Sequence, residues 1–160
     1  MGTDETLLSL AEIAITLAGF SAVVVVFRRG SDGSWLTAHR DQFHGMVIHA
    51  ICAVIFCLLP RMIDIVVQDP VTTLHICCAI LGVQILVHCV AVMRFPTLEL
   101  WGKLALSLGL VLGLGQFVVF TDWGAHREMD FYVLGIIWHI LQAGLLFVLL
   151  VWISPDKEKL

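Results

Sequence analysis

The chain is short of charge. Asp, Glu, Lys and Arg together make up 14% of its 160 residues, and only three of those residues are lysines: Lys103, Lys157 and Lys159. Basic residues form no run longer than Arg28-Arg29, and the formal net charge is −4, which excludes the electrostatic footprint of a nucleic-acid-binding protein. No Gly-x-Ser-x-Gly elbow, His-Glu-x-x-His pair or glycine-rich phosphate loop is present, so nothing points to an enzyme. The lysines fall at or beyond the ends of the apolar stretches, which excludes a buried Schiff base. Polar stretches long enough for a soluble domain are also lacking.

What remains is apolar. Hydrophobic residues are 59% of the chain and its mean hydropathy is +0.97, far above the mix of a soluble domain. A helix crosses the hydrocarbon layer with ~20 mostly apolar residues. The apolar runs give five spans near Leu7–Phe27, Phe43–Val67, Thr73–Met93, Leu104–Thr121 and Phe131–Ile153, joined by short loops. The expected fold is therefore an all-α integral membrane protein, a single bundle of about five transmembrane helices occupying residues 1–160. The start, Met1-Gly2-Thr3-Asp4-Glu5, is acidic where a secretory signal is basic, so the first helix is expected to stay in place. All five cysteines (Cys52, Cys57, Cys77, Cys78 and Cys89) fall inside apolar stretches and read as small hydrophobes rather than a disulfide framework.

Five spans place Arg28, Arg29, Arg40, Arg94, Lys103, Lys157 and Lys159 on one side of the membrane and Arg61 and Arg127 on the other. The positive-inside rule then predicts an external N-terminus and a cytoplasmic C-terminus. Trp101, Trp123 and Trp152 fall near span ends, where an interfacial aromatic belt belongs.

Ionisable residues within spans are costly and mark pairs, pathways or sites. Counting from span ends assigns Glu12, Arg61, Asp64, Gln116 and His139 to one outer-half cluster, with Arg61 paired to Glu12 or Asp64. The first span carries Ser9, Glu12, Thr16 and Gly19 on one narrow face, and the fifth repeats the pattern with Tyr132, Gly135, His139 and Gln142. Both stripes must face protein or water. Gly109 and Gly113 form a small-xxx-small pair suited to close helix packing. Pro60 removes one backbone hydrogen bond in the second span and frees a carbonyl that a polar side chain or water can reach.

An inner-half set comprises His49 and His88, with Cys52 three residues from His49. These are candidate ligands for a transition metal or haem, although the absence of any cofactor, with the histidines as packing groups of the bundle, is the preferred reading. His75 and His88, thirteen residues apart, diverge by ~140° around a helix and do not suit two stacked haems.

The stretch Leu10-Ala11-Glu12-Ile13-Ala14-Ile15-Thr16-Leu17-Ala18-Gly19-Phe20-Ser21, followed by Arg28-Arg29, resembles the opening of a group of small, uncharacterised bacterial multi-pass membrane proteins, and Leu58-Leu59-Pro60 is a fainter echo. The resemblance spans about the first thirty residues. It implies a bacterial inner-membrane location and five or so helices, and supplies no mechanism. Three functions are carried forward: a self-associating, channel-like pathway for small cations or protons; a haem- or metal-binding membrane subunit using His49 and His88; and a non-catalytic subunit that pairs with another membrane protein.

Overall fold

The computed structural model describes residues 3–28, 37–93, 100–121, 123–124 and 126–152. Its helices are α1 (Thr3–Arg28), α2 (Thr37–Val67), α3 (Pro70–Met93), α4 (Leu100–Gly115), which tightens into a 3₁₀ segment over Gln116–Phe120, and α5 (Glu128–Trp152). With α4 and its 3₁₀ extension counted together, all five are long and apolar enough to cross a membrane. That architecture fits a multi-pass membrane protein.

The predicted spans hold in number and order, and their edges shift for a physical reason. Apolarity marks only the part of a helix immersed in hydrocarbon, whereas backbone hydrogen bonding continues into polar turns. α1 therefore begins at Thr3, with Asp4 and Glu5 in its first turn, and α5 at Glu128, with Asp130 nearby. Acidic groups there oppose the positive end of the helix dipole. α2 begins six residues before the predicted Phe43.

The fourth span differs in kind. α4 gives way to 3₁₀ winding at Gly113-Leu114-Gly115, where two glycines weaken helical preference. A 3₁₀ turn rises ~2.0 Å per residue against 1.5 Å, so this short span still reaches roughly 34 Å, enough for a bilayer core.

Two residues join α2 to α3. Gln68 adopts a left-handed conformation (φ 53°) and its N–H donates to the Asp64 carbonyl at 3.0 Å, ending α2. Asp69 then caps α3, its carboxylate accepting from the Thr72 N–H at 2.9 Å, and Pro70 occupies the first helical position. Hydrogen bonds from Thr72 hold the Asp69 carboxyl below its ordinary value of 3.8. A depressed folded pKa contributes stability that is present above the ordinary value and lost as pH falls through the lowered one. Asp69→Ala is expected to lower thermal stability in detergent at neutral pH and to reduce the acid-side loss expected of the parent; equal melting temperatures for the two across that range would contradict this.

α5 is the hub. It touches every other helix, whereas α1 packs only on α2 and α5, and the α4 segment only on α3 and α5 among the described residues. Its inward face carries Tyr132, Gly135, Ile136, His139 and Ala143, all buried, at the three- and four-residue spacing of one helical face. α1 buries Leu7, Ala11 and Ala14 against the bundle. The Gly109 and Gly113 pair closes α4 onto its neighbours, with Gly109 against Trp138 and Cys89, and Gly113 against Ile85 and Leu86.

Candidate functional site

The buried polar groups gather where α2, α3 and α5 meet. His139 is completely buried and His49 nearly so. His139 Nε2 lies 2.9 Å from Gln84 Oε1, and the two Nδ1 atoms of His49 and His139 are 3.1 Å apart. A carbonyl oxygen only accepts, so His139 donates through Nε2–H. With both rings neutral, its Nδ1 then accepts from the Nδ1–H of His49. Gln84 Nε2 in turn approaches the Cys52 thiol at 4.0 Å. The order His49, His139, Gln84, Cys52 is a directed chain linking three helices.

Rings wall this chain in. Phe56 stacks on His139 with centroids 5.9 Å apart, and Trp138 meets His139 edge-on at 4.9 Å. His88 sits edge-on to His49 at 4.7 Å and to Trp138 at 5.8 Å. Trp138 is anchored through Nε1–H to the Ala105 carbonyl at 3.4 Å. The interior of the bundle at this level is packed with side chains.

Two turns away, Tyr132 donates its hydroxyl to the Phe56 carbonyl at 2.5 Å. Residue 56 is four before Pro60, so this carbonyl is the one the proline leaves without a helical partner. The polar group expected to reach the freed carbonyl is thus a side chain of α5. Tyr132→Phe is expected to cost ~1 kcal/mol, in the range of intramembrane hydrogen bonds. The cost should shrink in a Pro60→Ala background, where the substituted alanine supplies the missing N–H. Equal costs in both backgrounds, measured by unfolding in detergent, would sink this assignment.

Gln116 makes a similar cross-link, donating from Nε2 to the Phe131 carbonyl at 2.6 Å while its buried Oε1 has no partner. Gly135 makes room for it: a Cβ there would lie 2.9 Å from Gln116 Nε2 and 2.6 Å from Leu81 Cδ2.

The single outer-half cluster expected from the sequence does not form. His139 and Gln116 are buried in separate places, Gln142 is half-buried, and Glu12, Thr16, Arg61 and Asp64 are exposed on the outside of the bundle. Among the described residues no ion pair joins Arg61 to Glu12 or Asp64. Asp64 turns instead toward Thr73, whose hydroxyl lies 3.5 Å from Oδ1. Arg61 is six residues from the end of α2, within ~9 Å of the helix end, where a long side chain can carry its charge to the interface instead of pairing. The two polar stripes also part company, because that of α5 forms the core whereas that of α1 faces away from it.

The division of histidines into inner and outer halves is likewise corrected. His49 and His139 are hydrogen-bonded, with His49 twelve residues from the start of α2 and His139 thirteen from the end of α5, so the two rings meet at one level of the bundle. Gln84, absent from the expected cluster, is a lone amide in the middle of an apolar helix and therefore a legible signal. Trp138 and Phe56 are also absent from it, since their apolar character disguises their place around the histidines.

His49 and His88 are close enough to share a site, but their edge contact leaves no room for a macrocycle between the rings. The Cys52 sulfur accepts from Gln84, and among the described residues no hydrogen bond joins it to either histidine. Among the described residues no three His, Cys, Asp or Glu side chains converge on a common metal position.

Glu12 and Thr16 lie along a groove of about 530 Å³ that also takes in Ser9 and, from α5, Phe147. Thr16 donates its hydroxyl to the Glu12 backbone carbonyl at 2.7 Å, and Glu12 is exposed. Arg28 and Arg40 lie toward one end of the bundle, and Arg61 and Arg127 toward the other; Arg29, Arg94, Lys157 and Lys159 lie outside the described residues. Trp123 and Trp152 are 77% and 82% exposed at opposite ends, as interfacial residues would be. No known protein family, curated protein or solved structure matches this chain.

Proposed function

We propose that the protein is a homo-oligomer of the bacterial inner membrane whose protomers, with N-termini outside and C-termini in the cytoplasm, line a polar pathway for cations or protons between them. The observation that carries this reading is the position of Glu12. It is exposed on the surface of the bundle, eight residues into a 23-residue apolar span, where a charge facing lipid carries a penalty of ~2.5 kcal/mol or more. A neighbouring protomer and the water between the two remove that penalty. Carboxylates repeated around a symmetry axis concentrate cations, as in the acidic rings of cation channels.

Two features favour a route between protomers over one within them. The interior at the level of the histidines is filled by Trp138, Phe56 and His139, and the α1 stripe lies on the opposite side of its helix from the core. The resemblance of the first helix to small bacterial membrane proteins and the seven-to-two division of basic residues support the location and orientation. The mass of the protein in detergent tests the assembly. A defined multiple of the 17.7 kDa protomer is expected, with Glu12→Leu altering the distribution. A monodisperse monomer for the parent would overturn the proposal and move the reading toward a subunit that pairs with a different membrane protein.

A further inference from the structure

Two uncovered strips, one on α1 and one on α3, lie on separate flanks of the bundle. The α3 strip is an open face that steps through Ala79, Val83, Val87 and Ala91, one helical turn apart, with Gln84 and His88 beside them. Small side chains at successive turns let a second helix approach closely in a membrane. The α1 strip is the groove of Ser9, Glu12 and Thr16. Among the described residues α1 touches α2 and α5 and never α3, so the two strips cannot meet within one chain.

Their levels match. His139 bonds to both His49 and Gln84, which sets those three at one height. Leu17 and Ala18 of α1 pack on Met46 and Ala50, each within a turn of His49, so Thr16 stands close to the height of Gln84. α1 and α3 run in the same direction through the bundle. Counting from that level at ~1.5 Å per residue puts Glu12 at the height of Ile80 and Phe20 at that of His88.

Each strip holds what the other lacks. Gln84 uses its carbonyl on His139, while its amide carries two N–H groups and reaches only the Cys52 sulfur at 4.0 Å. Thr16 uses its hydroxyl hydrogen on the Glu12 backbone carbonyl, which leaves the oxygen's lone pairs to accept. His139, level with Gln84, is eleven residues from the start of α5 and thirteen from its end. That is near the middle of the apolar layer, ~15 Å from the headgroups, where lipid tails offer no acceptor. Bulk is complementary too, since Phe20, 64% exposed, falls at the height of the step between Val87 and Ala91.

We propose that the α1 strip of one protomer docks on the α3 strip of the next, a head-to-tail contact between copies of this chain. The proposal rests on the homo-oligomer reading and names the two surfaces that build it. The spare Gln84 N–H donates to the Thr16 hydroxyl oxygen of the neighbouring copy, and the Glu12 carboxylate, one turn away, stays free to draw cations. A two-fold dimer sets one patch against itself, whereas this contact joins two different faces and repeats until a ring closes.

The test is oxidative cross-linking of the purified protein in lipid vesicles, read on non-reducing gels against the parent, whose five native cysteines set the background. Thr16→Cys combined with Val83→Cys in one chain should give dimers and higher multiples, because every protomer then presents both halves of the contact. The two single variants co-expressed should stop at dimers, and either alone should match the parent. Val83 is 53% exposed, so Val83→Trp adds bulk to the α3 strip without entering the core. It should lower the mass in detergent toward one protomer while the circular-dichroism melt stays unchanged. Dimers from Thr16→Cys alone or Val83→Cys alone would overturn the proposal in favour of a two-fold contact. Cross-linking of the double variant no greater than the parent's, or a Val83→Trp protein that keeps the parent's mass, would also overturn it. Either result in a protein that is still a multimer moves the interface elsewhere; a monodisperse monomer for the parent removes the oligomer reading itself.

Discussion

Liposomes carrying the parent protein are expected to dissipate an imposed cation or proton gradient faster than empty ones, and Glu12→Gln to slow that flux by about tenfold or more. Glutamine keeps the size and hydrogen-bonding reach of the side chain but removes the charge that, in the proposed assembly, draws cations to the pathway. His139→Gln provides the contrast. His139 is sealed between Phe56, Trp138 and Gln84, so a pathway between protomers should conduct normally without it. If His139→Gln slows protons while Glu12→Gln does not, the route runs through the protomer along the histidine chain. Parent liposomes that leak no faster than empty ones would remove the channel reading altogether.

The second large effect is on folding. Gly109→Val should cost about 3 kcal/mol or more, the upper range for overpacking a filled interior. The first added atom alone would lie 2.7 Å from the Trp138 ring and 2.8 Å from Cys89 Sγ. Neither neighbour can yield freely: Cys89 is fully buried on α3, and the Trp138 ring is bracketed by three histidines and tied to Ala105. Pushing Trp138 also displaces His139, so loss of the ring cluster should accompany loss of stability. Gly144→Ala is the matched control. A Cβ there meets nothing within 4 Å, and replacing a mid-helix glycine by alanine should be neutral or stabilising by roughly 0.5–1 kcal/mol. Similar melting temperatures for Gly109→Val and Gly144→Ala would show that α4 does not pack as described.

The number and order of the helices were legible because burying backbone amides in hydrocarbon leaves the chain little choice but to satisfy them within each segment. Apolar length alone therefore marks a span. The freed carbonyl four residues before Pro60 was legible for the same reason, being a local consequence of a missing N–H. The helix ends were less so, since the segment from Thr37 to Gln42 is largely polar yet continues the hydrogen-bonded ladder of α2.

Which side of each helix faces inward was another matter. In a soluble helix the polar face points out, and the pattern announces the core. Here lipid is as apolar as the interior, so Ile13 and Val23 at the surface look like Leu7 and Ala14 in the core. Polar stripes on α1 and α5 looked equivalent as sequence, yet only packing turns one inward and leaves the other outside. Sequence by itself determined five apolar helices, their order, the gathering of basic residues toward one end and the proline's orphaned carbonyl, because each follows from local chemistry and from the bilayer as solvent. Tertiary structure alone decided that His49 meets His139 at 3.1 Å, that Tyr132 answers Pro60, and that Glu12 is left on the outside. Those outcomes depend on the rotation and depth of each helix against its neighbours, and side-chain packing fixes both.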